Sequence, residues 1–441
     1  MKRLLPLLLC AVLALFCATT AQAAGVSITL TASEYALHYA FDAGAQDPFV
    51  ILEYATPAEK GWMMLYSEDG HFEGDVSLAY SGAGGKTRVS LTSARTTGST
   101  VKASTTLPKA ADYQKPTGKS NAKVTDFVLT ETPEGFHYAF NAIGTDYMLL
   151  YWRSKEQTVT QPVYPDKNGH YEGDVISDLT FARTQFTVQV KSGSGSMKKE
   201  ATVRKGYQAP EAPQRQEGRL SGVTVCIDAG HQENGRFVNE PIGPGLSGST
   251  SGKGGMAQGT KTNRRESIVC LEIGMLLRDE LLRQGANVVM TREDQTTFHT
   301  NIERCEIAEA GGAQIMLRLH CNNSSNRSKR GIQVYGPLNS DYAKAVADAD
   351  TYREMGQKLL DAMKTRVGMT LANSTGMVRL NDNYVGNNWA KMMCFLVEMG
   401  YLSNPAEEYL LVTPVYQQWL AEGMADGVYE SEVARGWVQA Q

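Results

Sequence analysis

Val223-Thr224-Val225-Cys226-Ile227-Asp228-Ala229-Gly230-His231 reads as a buried strand that runs straight into a polar turn. Apolar residues fill Val223 to Ile227 almost without a break, as in a strand covered on both faces. Asp228-Ala229-Gly230 then ends the run. Downstream, Asn263 to Gln284 carries helical periodicity and stops at Gly285. Asn287 to Thr291 is a second strand and Ile302 to Ala310 a second helix. Gln314 to Leu319 and Ile332 to Tyr335 are further strands, and a helix runs from about Tyr352 to Thr365. Met393 to Val397 is a last buried strand before helical segments that reach the C-terminus. This alternation predicts an α/β domain over residues 220–435, with a largely parallel sheet flanked by helices.

Upstream the chain repeats itself. Leu37-His38-Tyr39-Ala40-Phe41-Asp42-Ala43 recurs as Phe136-His137-Tyr138-Ala139-Phe140-Asn141-Ala142, and Gly70-His71-Phe72-Glu73-Gly74-Asp75-Val76 as Gly169-His170-Tyr171-Glu172-Gly173-Asp174-Val175. Both matches are offset by 99 residues. That period is too long for a solenoid unit and fits two tandem domains. Short alternating segments rich in Val, Tyr, Phe and Thr, separated by Gly-containing turns, predict small antiparallel sandwiches over 25–116 and 121–206. The repeated histidines are framework in this reading. Trp62 and Trp152 are either core or, if exposed, platforms for sugars. Residues 207–219 have linker composition. The fold class is thus two tandem all-β sandwich-like repeats followed by an α/β domain.

Residues 1–23 set the expected compartment. Lys2 and Arg3 precede an apolar run from Leu4 to Phe16, and Ala21-Gln22-Ala23 is a small-x-small cleavage site, the pattern of a secretory signal peptide. No later segment is long and apolar enough for a membrane helix, so the mature chain is expected to have no integral membrane segment. The 43 Lys and Arg against 47 Asp and Glu give a mild acidic balance without a basic stripe, which gives no support to nucleic-acid binding. Cys226, Cys270, Cys305, Cys321 and Cys394 sit singly in apolar segments, as buried free thiols would.

Ligands of open α/β sheets gather at the C-terminal ends of the strands. His231 follows the first strand, His320 ends the third and Glu398 ends the last, while Glu266 opens the first long helix. Two histidines and a carboxylate are the ligand set of many catalytic zinc sites, which keep a position for water. A second carboxylate nearby can shuttle the proton between water and a leaving amine. Taken singly, His231 is as well read as a cap and His320 as a satisfied strand-end residue; their joint placement with the two glutamates points to a site. Glu233 and Glu240, in the Gly-rich segment before Glu266, are competing carboxylates. Glu266 is preferred because a helix start fixes its side chain. His299, in the polar stretch Thr296 to Thr300, reads as a surface residue.

These stretches also resemble the ordered motifs of zinc-dependent N-acetylmuramoyl-L-alanine amidases. The resemblance lies in Cys226-Ile227-Asp228-Ala229-Gly230-His231, Glu266, Arg318-Leu319-His320-Cys321-Asn322 and, most specifically, Leu396-Val397-Glu398-Met399-Gly400-Tyr401-Leu402-Ser403-Asn404. Thr291-Arg292 and Glu303-Arg304 fit as well. The resemblance implies that His231, Glu266 and His320 bind Zn2+ and that Glu398 is the general base and acid. Asn322 is the candidate substrate contact. The implied substrate is peptidoglycan, cut between N-acetylmuramic acid and the L-alanine of the stem peptide, in a bacterial wall, periplasm or extracellular setting. The alternatives are a non-enzymatic peptidoglycan-binding protein and a zinc peptidase cutting within the stem peptide. Ala229, Gln232 and Arg318 depart from the family pattern, and the last two are placed to reshape the cleft.

Overall fold

The fold is taken from a computed structural model of the chain. It describes residues 19–439, apart from 24–25, 33–35, 44–47, 57–59, 78–83, 94–100, 108–122, 133–134, 144–147, 154–157, 164, 167, 177–183, 193–197, 206–209, 233–237, 251–254 and 369–377. Two compact units divide the chain at Thr117/Gly118.

The first unit holds β1 (Thr19–Ala23), β2 (Val26–Ala32), β3 (Ala36–Asp42), β4 (Phe49–Ala55), β5 (Lys60–Tyr66), β6 (His71–Ser77), β7 (Gly85–Ser93) and β8 (Val101–Leu107). They form two antiparallel sheets, ordered β1-β2-β3-β6 and β5-β4-β7-β8. Alternation along each strand sends one set of side chains inward. Leu30, Phe41 and Phe72 from one sheet and Leu52 and Leu91 from the other close a single apolar core. Phe41 and Phe72 stack with centroids 4.9 Å apart. The expected leader run from Lys2 to Phe16 lies outside the described residues. Thr19–Ala23 pairs with β2 along its length.

The second unit begins with β9 (Lys123–Thr132), β10 (Gly135–Ile143), β11 (Met148–Arg153), β12 (Thr158–Val163), β13 (His170–Ile176), β14 (Thr184–Ser192) and β15 (Lys198–Lys205). Their order, β13-β10-β9 and β12-β11-β14-β15, follows that of β6-β3-β2 and β5-β4-β7-β8. Phe140 and Tyr171 repeat the earlier stacked pair, 4.6 Å apart. Trp152 is buried in this core, whereas Trp62 on β5 is 37% exposed.

The remainder contains β16 (Thr224–Ala229), α1 (Glu266–Arg283), β17 (Asn287–Met290), α2 (Asn301–Ala310), β18 (Ile315–Asn322), β19 (Gln333–Gly336), α3 (Asp341–Val346), α4 (Ala349–Val367), β20 (Arg379–Leu380), α5 (Val385–Trp389), β21 (Met393–Tyr401), α6 (Pro405–Leu411) and α7 (Pro414–Ala434). One six-stranded sheet runs β17-β16-β18-β21-β19-β20. The first four strands are mutually parallel, and β19 runs antiparallel to β21. Both faces are covered. Cys226, Met316 and Cys394 pack with Cys305 and Ala308 of α2, while Gly274 of α1 lies against Ile227, Ala229 and Leu319 from the other side. This double cover explains the unbroken apolar runs. α1 starts at Glu266 rather than Asn263, because Asn263 has φ 55° and cannot continue a right-handed helix. Cys226, Cys270, Cys305, Cys321 and Cys394 are free and buried.

Candidate metal centre

His231, Glu266 and His320 converge, with one donor atom from each lying within 4.8 Å of the others. β16 brings the first. Gly230 donates its N–H to the Leu319 carbonyl at 2.9 Å, and His231 then turns out of the sheet with φ 57°. A left-handed histidine is held only where its surroundings fix it. Arg292 and Arg304 supply that hold. Arg292 donates to the carbonyls of Ala229 (2.7 Å) and Gly230 (2.9 Å), and Arg304 to those of Ala229 (2.9 Å) and His231 (3.2 Å). Gly230 must be glycine, since a Cβ would lie 2.6 Å from the His320 ring.

Glu266 is the first residue of α1, and only 4% of its side chain is exposed. Oε1 accepts the Cys321 N–H at 3.0 Å and lies 3.0 Å from His320 Nδ1. Oε2 accepts the Ala257 N–H at 2.7 Å and lies 3.1 Å from His231 Nε2. Although burial opposes its charge, the two imidazoles hold Glu266 well below the ordinary carboxylate range. Burial lowers the His320 pKa, against the opposing pull of the Glu266 carboxylate.

Glu398 stands beside this trio. β18 and β21 pair in parallel with His320 opposite Glu398. Both strands run further than the sequence suggests, to Asn322 and Tyr401, so these two residues lie within strands rather than at their ends. A register shift just after His320 marks where the edge turns toward the cleft. Glu398 Oε2 is buried without a hydrogen-bond partner. Burial, then the charge of Glu266, pushes this carboxyl up to about 8. Two borderline imidazole donors and a hard carboxylate, next to an orphaned buried carboxyl oxygen, are a donor set that suits a divalent cation such as zinc and a reacting water.

Of the competing carboxylates, Glu240 lines the same cleft but is engaged outside the trio. Glu240 accepts from Asn301 Nδ2 at 2.7 Å and the Ile302 N–H at 2.8 Å, so it caps α2. Glu233 lies outside the described residues. Asn322 lines the cleft but engages its amide with Gln333 Oε1 at 3.1 Å. His299 also lines the cleft, where the sequence suggested plain surface. The cleft encloses about 660 Å3 and includes all four of His231, Glu266, His320 and Glu398.

Beneath the centre lies a group that the motifs contain but that sequence reading gave no task. Asp228 is fully buried, paired with Arg304 and with Arg318 (Nε to Oδ2 2.8 Å), and accepts from Thr291 Oγ1 at 2.7 Å. Arg318, a departure from the family pattern, also donates to Asn301 Oδ1 at 2.7 Å. A Cβ at Gly386 would run into its guanidinium. Gln232, the other departure, accepts from Arg304. The only sequence signal for this group was charged residues at strand ends, which surface residues share.

Comparison with known proteins bears on the same segment. Residues 225–430 match the family described as N-acetylmuramoyl-L-alanine amidase. The chain is similar to a germination-specific N-acetylmuramoyl-L-alanine amidase of Bacillus subtilis, with 26% identity over 49% of this chain and 83% of that protein. It is 27% identical to a probable cell wall amidase of Staphylococcus aureus, over 48% of this chain and 60% of that protein. Among solved structures, the apo N-acetylmuramyl-L-alanine amidase Ami1 of Mycobacterium abscessus aligns with 48% of this chain and 99% of its own, at 21% identity and a TM-score of 0.44. The match to the N-acetylmuramoyl-L-alanine amidase family thus falls within the C-terminal half of the chain.

Proposed function

We propose that the chain is a peptidoglycan hydrolase that cleaves the amide between N-acetylmuramic acid and the L-alanine of the stem peptide. The observation that carries this reading is the His231–Glu266–His320 donor set with Glu398 in register beside it, inside the segment that matches the amidase family. His231, Glu266 and His320 are the proposed ligands of a zinc ion. When bound there, zinc would polarise the scissile carbonyl and lower the pKa of water toward neutrality.

The chain's own residues do the rest. Glu398 takes a proton from the attacking water and delivers it to the amide nitrogen as the C–N bond breaks. Burial, which raises its pKa, favours holding the proton between the two transfers. Glu266 is fixed by two backbone N–H groups, and His231 by the arginine clamp on its loop, so little reorganisation is needed. Asn322, at the cleft wall, is the proposed substrate contact. The tandem β modules over 25–116 and 121–206, joined through 207–219 to a catalytic domain over 220–435, are read as wall-facing or spacing elements of an exported protein. No helix among the described residues is long and apolar enough to cross a membrane.

The test is release of free amino groups from purified peptidoglycan without new reducing sugar ends. Chelator should abolish it. A protein that bound sacculi tightly yet released nothing would instead be a non-enzymatic wall binder.

A further inference from the structure

Gln333 lies on β19, outside the four-residue constellation, yet the sheet sets it beside Glu398. β21 runs between β18 and β19. Glu398 has His320 opposite it on one side and Gln333 on the other, so the three side chains share a row and a face. One row along, Tyr335 of β19 lies opposite Leu396, which lines the cleft. The cleft face of the sheet therefore continues past Glu398, away from the metal-binding trio, onto β19.

The direction of each hydrogen bond here follows from a backbone N–H, which can only donate. That of Asn323 donates to Asn322 Oδ1 at 2.8 Å, so the other end of the Asn322 amide is its nitrogen. Asn322 Nδ2 donates to Gln333 Oε1 at 3.1 Å. The Tyr335 hydroxyl donates to the same oxygen at 2.7 Å, and the Tyr401 hydroxyl lies 3.5 Å from it. Both ends of the Asn322 amide are thus held, and it cannot flip without setting donor against donor. Asn322 lines the cleft with Glu398, and its second Nδ2 hydrogen has no protein partner among the described residues.

We infer that Gln333 is a positioning residue, and that the Asn322 N–H it holds in place receives the carbonyl oxygen of the L-alanine in the leaving stem peptide. This rests on the amide hydrolysis proposed above. In that reaction the scissile carbonyl lies at the His231–Glu266–His320 trio and the amide nitrogen at Glu398, which protonates it. The rest of the leaving peptide then runs on past Glu398 toward β19. There the bond from Asn322 to Gln333 spans the Glu398 strand. The alanine carbonyl is the first acceptor after the nitrogen, separated from it by the α-carbon alone. Without the Gln333 oxygen, the donor end of the Asn322 amide loses its anchor.

The test follows stem-peptide release by the full chain from muropeptides, prepared from purified peptidoglycan with a muramidase, against substrate concentration. N322A and Q333L should each raise KM about 3- to 10-fold, the effect of one neutral hydrogen bond, with kcat near the wild-type value. A merely structural loss would lower the active fraction, and so kcat, and leave KM alone. The N322A/Q333L double variant should have the KM of N322A, since Gln333 acts through Asn322. Gln333→Glu keeps an acceptor oxygen for Asn322 and should restore KM. As inhibitors of the same reaction, N-acetylmuramoyl-L-alaninamide should favour wild type over N322A by about the same 3- to 10-fold, whereas N-acetylmuramoyl isopropylamide, which lacks the alanine carbonyl, should inhibit both alike. Unchanged KM in both single variants, additive losses in the double variant, or equal inhibition of wild type and N322A by the alaninamide would each overturn the inference. Wild-type protein that released no stem peptide would instead remove the amidase reading on which it rests.

Discussion

Glu266 and Glu240 are both buried carboxylates lining one cleft, and their partners separate their tasks. Glu266 faces two imidazoles, whereas Glu240 faces an amide and the first turn of α2. Glu266→Gln should therefore abolish metal retention in the catalytic domain. Glu240→Gln should keep it and cost about 1 kcal/mol of stability through the weakened cap. Metal content and denaturant midpoints of the two variants distinguish the roles. Glu398→Gln should retain metal and lower turnover by about 10²–10⁴-fold, the contribution of a positioned proton shuttle. Retained metal with unchanged turnover would remove Glu398 from its assigned role. The four polar residues were readable because each borders an apolar run in the sequence. Asp228 and its arginines were not. A buried ion cluster is spelled with the same letters as a solvated surface.

At the scale of elements, buried charge decides how firmly the site is held. Asp228 joins β16, α2 and β18 through Arg304 and Arg318, and these arginines hold its carboxyl far below the ordinary range against the opposing effect of burial. Asp228→Asn leaves two buried guanidiniums without their counter-charge and should destabilise the domain by about 3–5 kcal/mol. Urea unfolding measures this, and a loss under about 1 kcal/mol would contradict it. The end of β21 has its own anchor. Glu407 of α6 accepts the N–H groups of Tyr401 and Gly331, each at 2.8 Å, and Asn404 caps the same helix. Burial pushes Glu407 up from 4.5 to about 7. A carboxyl raised on folding stabilises the protein fully below its unfolded pKa and loses that contribution as pH rises through the folded one. The stability difference between wild type and Glu407→Gln should thus decline between about pH 4.5 and 7. A flat difference across that window would show that Glu407 titrates normally. The Ser-Asn end of the most specific motif proves to be structural: Ser403 accepts the Ser324 N–H at 2.9 Å, and Asn404 donates to the Arg327 and Lys329 carbonyls. Element types were legible from periodicity. Their ends were not, because Asn263's left-handed backbone and the extension of β18 and β21 depend on partners distant in sequence.

For the whole molecule, the apolar core of the first unit draws its buried members from Ile28 to Leu107 alone. Leu52, fully buried there, should cost about 2–5 kcal/mol when changed to Ala. Calorimetry should show one transition moving while that of the C-terminal α/β domain stays in place; coincident shifts of every transition would contradict separate cores. The repeats were legible from their 99-residue offset, and their stacked aromatic pairs show what repetition preserved inside. What it preserved outside, part-exposed pairs such as His38 with Glu73 and His137 with Glu172, needed cross-strand register to become visible.

The central claim concerns which bond is cut, and the masses of fragments released from purified peptidoglycan test it most directly. The account predicts stem peptides beginning with a free L-alanine amino group and glycan strands whose muramic acid carboxylates have been freed, with release lost in Glu398→Gln. Fragments cut within the stem peptide, with L-alanine still attached to muramic acid, would contradict it.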